Sequence, residues 1–469
     1  MAASRLKPLI KQLAVGAAIA AAALGALATP ASAQGLIRDA EIEETLRVYE
    51  RPLLDAAGLD PDDVKIYIVN DPTINAFVSG GQNIFIHTGL ILEADTPNEL
   101  IGVMAHETGH IAGGHLARSR EAVNQSMGPM LISIGLGVLA IAAGAPDAGA
   151  ALISGSQAFA MANFVQHTQA QESAADQAAV EYLETSGQSG RGLITFFNHS
   201  IRPYEFLARR APPWMMTHPF SSDRVESLRL RVEAGENREA VDSEENLRRF
   251  QFMHAKLVGF IQSQGQTLAR YPQSDRSQPA RYARAVAYYR ASDLTRSRAE
   301  LDSLIAEDPR NPYYQELMGQ ILFENGRSEE SIPYHRRSLE FAPNQPLLQI
   351  NLARALTAAQ GRDGAAEAIA LLQAAIDREP DNAFAWREVA QARDLLGEEG
   401  LAQLASAEQN FALGDFGAAL SFAERARRTL PRNTPSYQRA NDIVIFAGNE
   451  MRERAGNERG RRGGLAVAH

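Results

Sequence analysis

Ile101-Gly102-Val103-Met104-Ala105-His106-Glu107-Thr108-Gly109-His110 reads as an apolar helix that turns polar only at its end. Two histidines four residues apart lie on one face of a helix, so both imidazoles can point at a single ion. Glu107 is then held beside that ion, where a carboxylate can act on water. The apolar run before His106 buries the helix, and a dry wall strengthens every charge interaction at its end. A five-residue pattern with three fixed positions also arises by chance, so the rest of the chain has to supply a further ligand.

A catalytic zinc usually keeps three protein ligands and one open position. The chain has no cysteine, so the third ligand must be His, Asp or Glu. The candidate is Glu172 in Glu172-Ser173-Ala174-Ala175-Asp176, 62 residues beyond His110. Asp176 lies one helical turn after Glu172, and a carboxylate there can accept the outer N–H of a ligand imidazole. A Glu/Asp pair four apart is more commonly a solvated helix face. Alanines at 174, 175, 178 and 179 argue instead for close helix packing.

Upstream, apolar positions Ile42, Leu46 and Leu53 predict a helix over 41–58. Alternation predicts a strand over 64–69, and residues 75–78 and 83–86 form a hairpin about Ser79-Gly80-Gly81-Gln82. The motif helix is expected over 96–118. On that helix His115 is rotated away from the ligand face; it, His87 and His167 read as structural. Downstream, 129–164 is nearly uncharged and broken by Pro146-Asp147, marginal for a membrane span. A helical hairpin covering a cleft, or touching a membrane surface, is the reading preferred over two spans. Helices follow over 166–185 and 222–245.

From about residue 279 the sequence repeats. Pro309 and Pro343 are 34 residues apart, as are the small residues Gly319 and Ala353. That is the tetratricopeptide (TPR) period, in which stacked helix pairs bury faces that no pair can bury alone. Pro431 closes a longer unit with about one additional helix. The polar, glycine-rich 451–469 is expected to be a disordered tail.

A hydrophobic fraction of 45% suits a globular protein. The net charge of −10 and the lack of a basic patch argue against a nucleic-acid partner. Arg5, Lys7 and Lys11, an apolar run over 13–27, and Ala31-Ser32-Ala33 read as a signal peptide cleaved after Ala33.

With Asn75-Ala76-Phe77, Gly80-Gly81, Thr88-Gly89-Leu90, His106 to His110, Glu172 to Asp176, and Thr217-His218-Pro219 followed by Arg224, the chain resembles the HtpX-type gluzincin metallopeptidases, in particular periplasmic members with a TPR tail. The resemblance implies an α+β fold. A mostly helical zincin-type domain with a small antiparallel sheet precedes an α-helical TPR solenoid. The expected divisions are a signal peptide (1–33), a zinc metallopeptidase domain (34–250), a helical linker (251–278), TPR-like repeats (279–450) and the tail. It implies zinc on His106, His110 and Glu172, Glu107 as general base, and Asp176 supporting a ligand. His218 becomes either a plug in the open zinc position or an aid to the oxyanion, and Arg224 orients its loop or binds a carboxylate. The edge strand near Gly80-Gly81 would pair with an extended substrate. Implied clients are unfolded or misassembled proteins, chiefly of the outer membrane, cleaved in the periplasm. Implied partners are the β-barrel assembly machinery through the repeats and a membrane surface through 129–164. A chaperone or assembly scaffold with mostly latent proteolysis is the alternative.

Overall fold

The computed structural model describes residues 35–118, 167–201, 218 and 222–466. The signal-peptide reading of 1–33 and the hairpin reading of 129–164 lie outside the described residues. Within them, no helix is long and apolar enough to cross a membrane.

A two-residue strand, β1 (Leu36–Ile37), leads into helix α1 (Ala40–Ala57). The Asp39 side chain caps α1 by accepting from the Glu41 and Ile42 amides. Ile42, Leu46, Tyr49 and Leu53 recur along one face and are at most 1% exposed. Each such side chain contributes roughly 1.5–3 kcal/mol by leaving water. Strands β2 (Lys65–Val69), β3 (Ala76–Ser79) and β4 (Asn83–His87) follow, then α2 (Thr88–Glu93) and the motif helix α3 (Pro97–Ala112).

The sheet order is β1-β2-β4-β3. β3 and β4 form the expected antiparallel hairpin, but β2 runs parallel to β4, so the sheet is mixed rather than antiparallel. A parallel neighbour needs a crossover. Here the crossover contains β3 itself, which is laid outside β4 and becomes the rim. Ile68, Ile84 and Ile86 face the core, while Tyr67, Phe85 and Phe77 stack in a row on the opposite face with centroids 5.0 Å apart.

Helix α3 ends at Ala112, not near 118. The chain turns at Gly113 and Gly114, the latter at φ +60°, before helix resumes at 115. Helix α4 covers 167–185. Then come α5 (Arg191–Phe196) with a π turn (Phe197–Ile201), α6 (Ser222–Ala234) and α7 (Glu244–Ile261), so the helix expected over 222–245 ends early. Helix α7 also runs straight through the boundary expected at 250. Its Phe250, Met253 and Leu257 sit in the core shared with α1, the sheet and α3. Its Phe252 sits in the first repeat core with Tyr282 and Tyr314.

After α8 (Gln264–Arg270) the repeats stack as helix pairs. They are α9 (Gln278–Arg290) with α10 (Leu294–Glu307), α11 (Pro312–Glu324) with α12 (Ser328–Phe341), and α13 (Pro346–Gln360) with α14 (Arg362–Arg378). Asn311 and Gln345 cap α11 and α13, and proline fills the first helical position of each. Gly319 is small because a Cβ there would meet the His335 ring at 2.7 Å. Between Pro380 and Pro431 stand α15 (Ala383–Leu396), α16 (Glu399–Ala412) and α17 (Phe416–Thr429). The last helix, α18 (Pro435–Ala466), carries the backbone through most of the segment expected to be a disordered tail. The repeats fold back onto the first domain through Arg38 with Glu379 (2.8 Å) and Lys65 with Asp381 (2.6 Å).

Candidate metal centre

Helices α3 and α4 touch backbone to backbone. A Cβ on Gly109 would lie 2.8 Å from the Ala175 carbonyl oxygen and 3.0 Å from its Cα. That approach carries Glu172 against both motif imidazoles. Its Oε2 is 3.4 Å from His106 Nε2 and its Oε1 is 3.3 Å from His110 Nε2. The two Nε2 atoms are 3.2 Å apart. His218 Nδ1 enters the same space, 3.1 Å from Glu172 Oε1 and 3.2 Å from His106 Nε2. Donor atoms of these four residues all lie within 4.8 Å of one another.

Each imidazole is steadied from behind. His106 Nδ1 is 3.0 Å from Asp176 Oδ1. Arg224 reaches Asp176 through Nε (2.7 Å) and Glu172 through a terminal nitrogen (3.0 Å). On the far side of His110, its Nδ1 is 2.9 Å from His115 Nδ1. The expectation that His115 turns away is thus corrected. The Gly113–Gly114 turn breaks the helical register and swings His115 back. Two glycines directly before it were the available signal, since such pairs end helices.

Burial opposes charge on His106, yet the hydrogen bonds and charges of Asp176 and Glu172 outweigh it and push the imidazole up to about 10. Burial also works against the Glu172 and Asp176 carboxylates. The three histidines around Glu172, and His106 with Arg224 around Asp176, still hold both well below the usual range. Burial and the neighbouring His110 bring His115 down to about 4, so it is neutral and can accept a proton bond from His110.

Glu107 is fully buried, and neither carboxylate oxygen has a hydrogen-bond partner among the described residues. His218 Nε2 is 3.5 Å from its Oε1. A bare buried carboxylate facing a knot of imidazoles is costly unless positive charge compensates it. The donor set, two imidazoles and a carboxylate with Glu107 alongside, fits a divalent ion. Asp95, Glu99 and His199 also bring donor atoms together. There, Glu99 Oε2 already accepts from the Asp95 amide (2.9 Å) and lies 3.0 Å from His199 Nε2. That group ties the start of α3 to the π turn.

Residues 38–232 match Peptidase family M48. The beta-barrel assembly-enhancing protease of Yersinia pestis is 29% identical over 333 residues, covering 70% of this chain and 67% of the relative. Its namesake in Escherichia coli (strain K12) is 26% identical over 398 residues, covering 83% of this chain and 80% of the relative. Metalloprotease LoiP of the same strain is 28% identical over 177 residues, 37% of this chain and 64% of the relative. With a cluster able to hold a metal ion inside the segment that matches peptidase family M48, the chain is a metalloendopeptidase.

Proposed function

We propose that this chain is a zinc endopeptidase of the cell envelope, with His106, His110 and Glu172 as ligands and Glu107 as general base. The observation that carries the reading is the meeting of those three donors, from two helices, beside a buried and otherwise unpartnered Glu107. Zinc in particular is supported by the spacing. Ligands about 2.0–2.1 Å from a tetrahedral ion stand about 3.3–3.4 Å apart. The three donors here are 3.2–3.4 Å apart.

A bound zinc would supply Lewis-acid polarisation of the scissile carbonyl and a lowered pKa for water. Asp176 fixes the His106 tautomer through Nδ1 and leaves Nε2 free to ligate. His115 does the same for His110. Glu107 takes a proton from the attacking water and gives it to the amine nitrogen as the peptide C–N bond breaks. Substrate backbone pairs with the β3 rim, an outer strand of the sheet.

His218 places Nδ1 within the ligand set, which favours its service as a plug in the fourth position over a part in binding the oxyanion. A plugged centre also favours the second reading, a scaffold whose proteolysis stays latent. The named relatives support β-barrel proteins under assembly as clients, and the repeats as the surface that meets other assembly proteins in the periplasm. The groove between α11, α13 and α15, bordered by Phe323, Arg354 and Arg387, suits a protein segment.

The test is Glu107→Gln. It should keep stoichiometric zinc and lose casein cleavage by more than about 100-fold, the contribution expected of a general base. Retained cleavage would discard the assignment. Full rescue of an export-stress phenotype by the same variant would make scaffolding primary.

A further inference from the structure

Glu50, in the middle of α1, is only 1% exposed and lies behind the motif helix. Its Oε1 is 2.5 Å from the Thr108 hydroxyl, and that hydroxyl is also 2.9 Å from the Met104 carbonyl oxygen. A threonine hydroxyl has one proton to give and lone pairs to accept with. A carbonyl can only accept. Unless that one proton is shared between two acceptors, Thr108 donates to Met104 and Glu50, as the acid, donates to Thr108.

The surroundings agree. Glu50 Oε2 is buried with no partner among the described residues. Among the described residues no cation acts on it; of the elements packed on α1, the titratable group acting on Glu50 is Glu107 from α3. From β2, α7 and α13, which also pack on α1, no charged group acts on it. Two carboxylates in one dry core resist joint ionisation. Burial pushes Glu50 up to about 8; the Thr108 hydrogen bond opposes the rise and the Glu107 charge adds to it.

We propose that Glu50 is a protonated positioning residue, whose acid proton clamps Thr108 and so fixes the helical turn carrying Glu107, and whose ionisation sets the alkaline limit of the domain. The catalytic consequence rests on Glu107 being the base; the protonation itself does not. The folded-state value is raised above that of the unfolded chain, so the native state holds the extra proton. The stabilisation is full below about 4.5 and is lost as pH rises through about 8. A glutamine keeps an N–H donor for Thr108 and cannot ionise.

The experiment compares wild type, Glu50→Gln and Glu50→Ala over the full-length chain. Metal-free wild type should show, at neutral pH, an infrared carbonyl band of neutral carboxylic acid that is smaller in Glu50→Gln. Relative to Glu50→Gln, its melting temperature should fall as pH rises from about 4.5 to about 8 and run parallel to that variant's above it. Zinc-loaded wild type should lose about nine-tenths of its casein cleavage by about pH 9, one unit above that value, and Glu50→Gln should retain it. Glu50→Ala should be less stable at every pH, with Gln restoring what Ala loses; if Ala does not fold, the Gln comparison suffices. Identical infrared spectra, or a Glu50→Gln melting curve that falls with pH as wild type does, would overturn the proposal. An active Glu107→Gln enzyme would remove the base assignment while leaving the metal-free results standing.

Discussion

His218 Nδ1 lies 3.1 Å from Glu172 Oε1 while its Nε2 faces Glu107 at 3.5 Å, so one ring touches both the ligand set and the proposed base. Replacing that ring with a methyl group opens the fourth position if the ring is a plug. His218→Ala should then raise basal cleavage several-fold at unchanged zinc content; a drop of about 100-fold would assign the ring to the oxyanion instead. The sequence made the motif pair readable because helical spacing alone aligns 106 with 110. Glu172 was readable because its flanking alanines announced a close helix. His115 was not, because a helix extrapolated through Gly113 and Gly114 points it the wrong way. Arg224 was singled out by resemblance alone. Nothing in its neighbourhood reveals that it grips Asp176 and Glu172 from 48 and 52 residues away.

At the scale of the element, the site depends on how near α3 can come to α4. Gly109→Ala puts a methyl group 2.8 Å from the Ala175 carbonyl, a backbone atom that cannot step aside. Such overpacking typically costs about 1–3 kcal/mol. The helices must part, and Glu172 retreats from both imidazoles. The variant should lose zinc affinity by more than about tenfold, as supporting contacts do elsewhere, which a competition titration with a chromogenic chelator would measure. Unchanged affinity would mean that the approach serves packing only. Strand positions were legible from alternation and turn glycines, whereas their pairing was not. A hairpin is local, but the parallel match of β2 to β4 depends on where the intervening strand is set down. β1, two residues long, carries no periodicity to detect.

Across the whole molecule the two parts meet around a buried amine. Lys256 on α7 is 2% exposed and lies 2.8 Å from Asp39, 3.3 Å from Glu41 and 3.5 Å from Glu316. The carboxylates come from the chain just before α1, from α1 itself and from repeat helix α11. Burial alone would discharge the amine; Asp39, Tyr282 and the two glutamates instead raise it well above its ordinary value. Lys256→Met leaves those acids without their cation, and breaking a buried pair in this way costs about 3–5 kcal/mol. Calorimetry should show that loss in one transition. A variant in which the repeats melt separately, with the peptidase transition unmoved, would contradict the coupling.

Helix α7 gives one flank to the peptidase core and the other to the first repeat. It is a party wall, and neither room can be demolished without exposing the other's masonry. A gene cut after residue 250 would hand the catalytic half a stump without Met253 and Leu257 and leave its greasy seam open to solvent. Rearrangements that tug on the solenoid's near end therefore pull on the same beam that braces α1 and, through it, the back of the motif helix.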